Sequence, residues 1–72
     1  MTLAEARVGS RVAVEAFVNT EQASEAIRLG IAPGRELLVV RKIAGGPLVV
    51  QSGVSQIAIG YGLARCIAVK PL

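Results

Sequence analysis

The sequence predicts a mainly β fold, a small antiparallel barrel of about five strands with one α-helix inserted after the first. Three observations lead there. Short runs rich in Val and Ile recur between turn signals, and several alternate apolar with polar at the two-residue period of a strand. One stretch, Thr20 to Gly30, instead carries helical spacing, with Ala23, Ala26, Ile27 and Gly30 on one stripe and Glu21, Glu25 and Arg28 on the other side. At 72 residues, a sheet with long open edges would invite edge pairing, so the strands are expected to close or nearly close on themselves.

Taken in order, Thr2-Leu3-Ala4-Glu5 has the form of a capping box, but Gly9 arrives too soon for more than one turn. Arg11 to Val18 is the first strand, with Val12, Val14 and Ala16 on one face and Ala13, Glu15 and Phe17 on the other. Thr20 is the expected N-cap of the helix. Glu21 and Glu25 suit the positive end of its dipole and Arg28 the negative end. Gly30 supplies the positive φ of a helix exit, and Pro33-Gly34 fits the centre of a type II turn. Glu36 to Ile43 then forms the central strand, around which the chain is organised.

Ala44-Gly45-Gly46-Pro47 is a compact turn into the next strand, Leu48 to Gln51. Ser52-Gly53 reverses the chain into Ser55 to Ile59, with Ile57 and Ile59 inward. Gly60-Tyr61-Gly62 breaks that strand, and Arg65 to Lys70 alternates again through Ile67 and Val69.

Composition restricts both stability and function. The length allows one domain, residues 1–72, and the core must be built from Val, Ile, Leu and Ala because aromatics make up only 3% of the chain. Eight Lys and Arg against five Asp and Glu give a net charge of +3, scattered rather than gathered into a run. With Cys66 the only cysteine, no internal disulfide can form. Met1 to Gly9 lacks the character of a signal peptide, and no window approaches eighteen uninterrupted apolar residues, so a cytoplasmic protein is expected.

Chemistry is narrowed by what is missing. The chain has no His and no Asp, which removes the usual general base and the common borderline metal ligands; no catalytic residue, metal site or cofactor is expected. Glu21 and Glu25 read as a solvated helical face rather than an iron site. Gly45-Gly46-Pro47 lacks the spacing of a phosphate cradle. Cys66 reads as a small packed residue on the last strand.

The arrangement Leu29-Gly-Ile-Ala-Pro-Gly34, followed by Glu-Leu-Leu-Val-Val-Arg41, Gly-Gly-Pro-Leu-Val-Val50, Ser-Gln-Ile-Ala-Ile59 and Leu-Ala-Arg-Cys-Ile-Ala-Val69, resembles the FeoA family. Those are small SH3-like domains that accompany the bacterial ferrous-iron transporter FeoB. The resemblance implies an SH3-like barrel and a non-enzymatic cytoplasmic accessory protein of ferrous iron uptake, recruited by FeoB to the inner face of the membrane. Transition metal ion binding belongs to the family's description, but the residues here offer little for it. Two alternatives use similar folds: a relative of the SH3-like C-terminal domain of DtxR-type metal-dependent regulators, and a small basic RNA-binding barrel. The first lacks a helix-turn-helix here; the second has only Phe17 and Tyr61 for stacking, so no nucleic-acid partner is expected.

A binding surface is expected where apolar residues exceed what one core can hold. Leu37 and Val39 fall on one face of the central strand, Leu38 and Val40 on the other. Ile31, Arg35 and Leu38, with Tyr61 at the barrel end, are the expected partner or self-association residues. The competing expectation covers the second face with the helix, Val40 more readily than Leu38.

Overall fold

The computed structural model describes residues 1–72. A single turn of 3₁₀ helix, Leu3–Glu5, opens the chain, followed by β1 (Arg11–Phe17), α1 (Thr20–Arg28), β2 (Glu36–Lys42), β3 (Leu48–Ser52), β4 (Ser55–Ile59), the short helix α2 (Tyr61–Ala64) and β5 (Ile67–Pro71). The strands form one antiparallel sheet in the order β4-β3-β2-β1-β5. Its ladder does not close, since β4 and β5 are the two ends. Between them runs α2, which packs on the 3₁₀ turn. Its Leu63 and Ala64 are buried with Leu3 and Ala6, so helical turns fill the gap that hydrogen bonds leave.

Alternation places the core as expected through Val12 and Val14, Leu37 and Val39, Leu48 and Val50, and Ile67 and Val69, all buried. Two one-residue bulges interrupt it. In β1, Val14 opposes Val69 but Ala16 opposes Ala68, which leaves Glu15 as the extra residue. The face therefore switches: Ala16 is exposed, and Phe17 packs on the core opposite Ile67, correcting the assignment of Ala16 to the inner face. In β2 the extra residue is Val40, because Val39 opposes Val50 and Arg41 opposes Val49. Lys42 then lies opposite buried Leu48 and on its side of the sheet. From there its Nζ donates to the carbonyls of Ala4 and Ala6 at 2.8 and 2.9 Å, taking up the open C-terminal end of the 3₁₀ turn.

The half of the capping box that orients this turn is the Glu5 carboxylate, which accepts from the Thr2 N–H at 2.6 Å. For α1 the cap is Asn19, not Thr20: Asn19 has extended backbone and its Oδ1 accepts from Gln22 N at 3.0 Å, while Thr20 is the first helical residue. The helix ends one residue earlier than its last apolar neighbour suggests, at Arg28, with Leu29 as C-cap. Gly30 follows at φ 89°, and the exit is a Schellman motif: Gly30 N–H donates to Ile27 O and Ile31 N–H to Ala26 O, both at 2.9 Å. Ala32 to Arg35 then closes the expected type II turn, with Gly34 at φ 91° and Arg35 N–H donating to Ala32 O at 3.1 Å.

Two further differences lie near the C-terminus. Gly60-Tyr61-Gly62 is not a simple break but the start of α2, which Gly60 precedes in extended backbone. Cys66 accordingly sits in the turn after α2, half-buried and ahead of β5, with its carbonyl accepting from Val18 N–H at 3.0 Å. No helix is long and apolar enough to cross a membrane.

Candidate functional site

The outward face of β1, β2 and β3 carries the cleft that the sequence foreshadowed only in part. Register decides its membership. Arg11 opposes Leu38, and Leu38 opposes Gln51, so a cation, an apolar side chain and an amide stand abreast on three adjacent strands. Glu36 lies two residues before Leu38 on the same face of β2, and Gly53 follows β3 in the turn. Together Arg11, Glu36, Leu38, Gln51 and Gly53 line a depression of about 250 Å³.

Leu38 is half-buried there and belongs to the outer face, while Leu37 beside it is in the core. Gln51 is fixed by a bond from its Nε2 to Gly53 O at 3.1 Å, which also ties the hairpin turn to the cleft wall. Arg11 and Glu36 are both exposed and neither enters a side-chain hydrogen bond of the fold. The cleft therefore offers an apolar floor between a free cation and a free carboxylate. That chemistry suits a protein side chain flanked by polar groups; it provides neither a nucleophile with its base nor a nest of ligands. Nowhere do three His, Cys, Asp or Glu side chains converge as a metal site would need.

Of the four residues expected at a binding surface, the structure keeps two near this cleft. Leu38 lines it, and Arg35 is exposed immediately before β2, where its carbonyl accepts from Val14 N–H at 2.9 Å. Ile31 is a correction: it is 0% exposed, because the Schellman motif folds the chain back and lays Ile31 over buried Ala26. Tyr61 is exposed at the start of α2, with the Arg65 guanidinium 5.9 Å from its ring centre, and is not among the cleft residues. The ranking of Val40 and Leu38 is also reversed. Bulged out of the ladder, Val40 is exposed, while Leu38 is partly covered by its strand neighbours rather than by α1, which packs on β1. Arg11 and Gln51 were missed because cross-strand register, which brings them to Leu38, is not carried by any local pattern, whereas Glu36, two residues along the same strand, lay within local reach and was read only as the strand's first residue.

Comparisons with known proteins agree on the family and on the fold. The family model described as FeoA domain matches residues 1–71. The crystal structure of an iron uptake regulatory protein, FeoA, superposes with a TM-score of 0.93 at 26% identity, covering 100% of this chain and 97% of that one. The zinc-complexed FeoA of Stenotrophomonas maltophilia, described as an SH3-domain protein and a proposed ferrous iron transport activating factor, is 30% identical with a TM-score of 0.80, over 97% of this chain and 89% of that one. A manganese-dependent transcriptional repressor shares the fold at a TM-score of 0.88 and 20% identity; this chain spans 41% of its length. No curated protein matches the chain. With the SH3-like fold, the open five-stranded sheet and the family match running together from residue 1 to residue 71, the chain belongs to the FeoA domain family.

Proposed function

We propose that this protein is a single-domain, non-enzymatic cytoplasmic accessory protein of ferrous iron uptake that acts by protein–protein contact with the FeoB GTP-binding transporter. Family membership supports the iron-transport setting. The observation that carries the mode of action is Leu38, held partly open on a sheet face between the unpaired charges of Arg11 and Glu36. An apolar centre with a polar rim is what protein contacts are made from. Arg35 extends the rim on the β2 side. Tyr61, on α2, forms a second and separate contact.

The nucleic-acid alternatives find less support in the fold. Phe17 packs on the core, which leaves Tyr61 as the one exposed aromatic for base stacking. Within these 72 residues the helices are nine and four residues long, and neither pairs with the other as a helix-turn-helix would.

The test is capture of FeoB from detergent-solubilised membranes by tagged protein, comparing the natural sequence with Leu38→Glu. Capture by the former and at least a tenfold loss with the latter, at unchanged melting temperature, is expected, since removal of a central interface residue costs about 2 kcal/mol or more. Equal capture by both would rule out the cleft; no capture by either would rule out the transporter as the partner.

A further inference from the structure

We propose that β4 is a self-pairing edge, through which two copies of this chain join antiparallel across a two-fold axis at Ile57. This proposal is independent of the transporter contact, which lies on the sheet face.

The first observation concerns the two edges of the sheet. Beyond β5 the edge is covered, because Thr2 bridges Ala68 and Val69 N–H donates to Met1 O at 2.9 Å. Beyond β4 there is nothing: it pairs with β3 alone. The hairpin geometry tells which groups are left open. Ser52 and Ser55 face each other across a two-residue loop, Gly53-Val54, with Gly53 at φ 62° as a type II′ turn requires. The pair flanking such a loop exchanges both hydrogen bonds, and bonded pairs then alternate along the ladder. Ser55, Ile57 and Ile59 thus spend their backbone groups on β3, whereas Gln56 and Ala58 turn theirs outward. Neither residue takes part in the turn, loop or cap bonds of the fold.

The second observation is that this edge carries none of the devices that keep exposed strands apart. From Pro47 to Ala64 there is no charged residue, and all eight basic and five acidic residues lie outside that stretch. β4 contains no Pro and no bulge. Charge also selects the occupant. Two molecules of net charge +3 would repel through most of their surfaces, but not along this uncharged flank, and an acidic or basic partner would find nothing there to pair with.

The third observation is Ile57. On β4 it faces the core side opposite Val50, yet it is only partly buried, whereas Ile59 is fully buried. With Gln56 opposing Ala58 of the second copy, and the reverse, the four outward groups of each strand's Gln56 and Ala58 are satisfied in two bonded pairs. Ile57 then meets its own symmetry mate at the non-bonded position between them, where side chains approach most closely. The contact continues the inward apolar row across the axis.

The experiment is sedimentation equilibrium from about 10 μM to about 1 mM, the range in which a contact of this small size associates, with amide exchange of Gln56 and Ala58 followed alongside. Expected is a mass rising from 7.4 kDa toward twice that value, with exchange at these two amides slowing at least tenfold at the high end. Ala58→Pro removes an outward N–H without touching the β3 ladder and should stay monomeric. If Ala58→Pro fails to fold, Ile57→Cys in a Cys66→Ser background replaces it, with Ser55→Cys as the off-axis comparison. Rapid covalent dimerisation of the first and not the second supports the pairing; equal rates overturn it. A monomer at all concentrations, with both amides in free exchange, overturns it and leaves the edge to an extended segment of another protein. A dimer that persists in Ala58→Pro overturns it as well.

Discussion

Ile31 is locked onto Ala26 by the bond between its N–H and the Ala26 carbonyl, 2.9 Å long, and both side chains are wholly buried. The bond exists because Gly30, between helix and strand, holds φ at 89°. A β-branched residue is poorly suited to that region, although a Cβ at Gly30 would meet no neighbour within 4 Å. Gly30→Val is therefore expected to destabilise through the backbone alone, by about 1 kcal/mol or more, which lowers the melting temperature of so small a domain by about 4–8 °C. Gly30→Asn, which tolerates the left-handed region, should lose less. Equal melting temperatures for the natural and Val forms would show that the Schellman exit contributes nothing.

Lys42 links β2 to the 3₁₀ turn across 36 and 38 residues of sequence through the carbonyls of Ala6 and Ala4. Replacing it by Met keeps the stem and removes the donors. The expectation is a loss of about 1 kcal/mol in denaturant unfolding, together with faster exchange of the Ala6 amide, which bonds Leu3 O. Unaltered stability and exchange would mean that water replaces Nζ without cost.

Glu5 is held below the ordinary carboxylate range by the hydrogen bonds it receives from Thr2. Its folded pKa is lower than its unfolded one, so the stability it contributes is present above the usual carboxylate value and lost as pH falls through the depressed one. An NMR titration should show the Glu5 carboxyl titrating below the ordinary value of a glutamate. Glu5→Gln should remove that part of the acid dependence and leave the melting temperature less sensitive to acid.

Iron binding should be weak. With no His, no Asp and no converging set of three ligands, ferrous or ferric iron is expected to bind the isolated protein no more tightly than about millimolar. Stoichiometric micromolar binding by calorimetry would contradict this, and Cys66→Ser and Glu21→Gln would then identify the ligands.

The sheet was readable in the sequence wherever alternation ran unbroken, as from Leu48 to Val50 and from Ile67 to Val69. What escaped was phase. Neither Glu15 nor Val40 is a glycine or any other local marker of a bulge, so nothing near them announces that Phe17 turns inward or that Val40 leaves the ladder. α2 was hidden for a related reason: two glycines around Tyr61 read as a break, yet burial of Leu63 and Ala64 against Leu3 and Ala6 stabilises a helical turn that local propensity does not favour. In the cleft, Leu38 was visible as a surplus apolar residue. Its companions were not, because Arg11 and Gln51 reach it through pairings 27 and 13 residues away.

The bulge at Val40 has a consequence for comparing this protein with its relatives. One residue is half a period of a strand, so the extra residue is what brings Lys42, and not Arg41, to the side of Leu48; deleting Val40 would restore simple alternation and leave both in their present pairings. Straightening the ladder with Val40 kept would instead swing Lys42 to the solvent side and bring Arg41 opposite Leu48, over the 3₁₀ turn. A homologue one residue shorter here should thus be aligned with its gap at the bulge, and its turn-closing cation sought two residues after the Val39 equivalent rather than three. A gap of one at Val40 is then the loss of a bulge that leaves the tie between strand and N-terminus in place, not a trimmed loop.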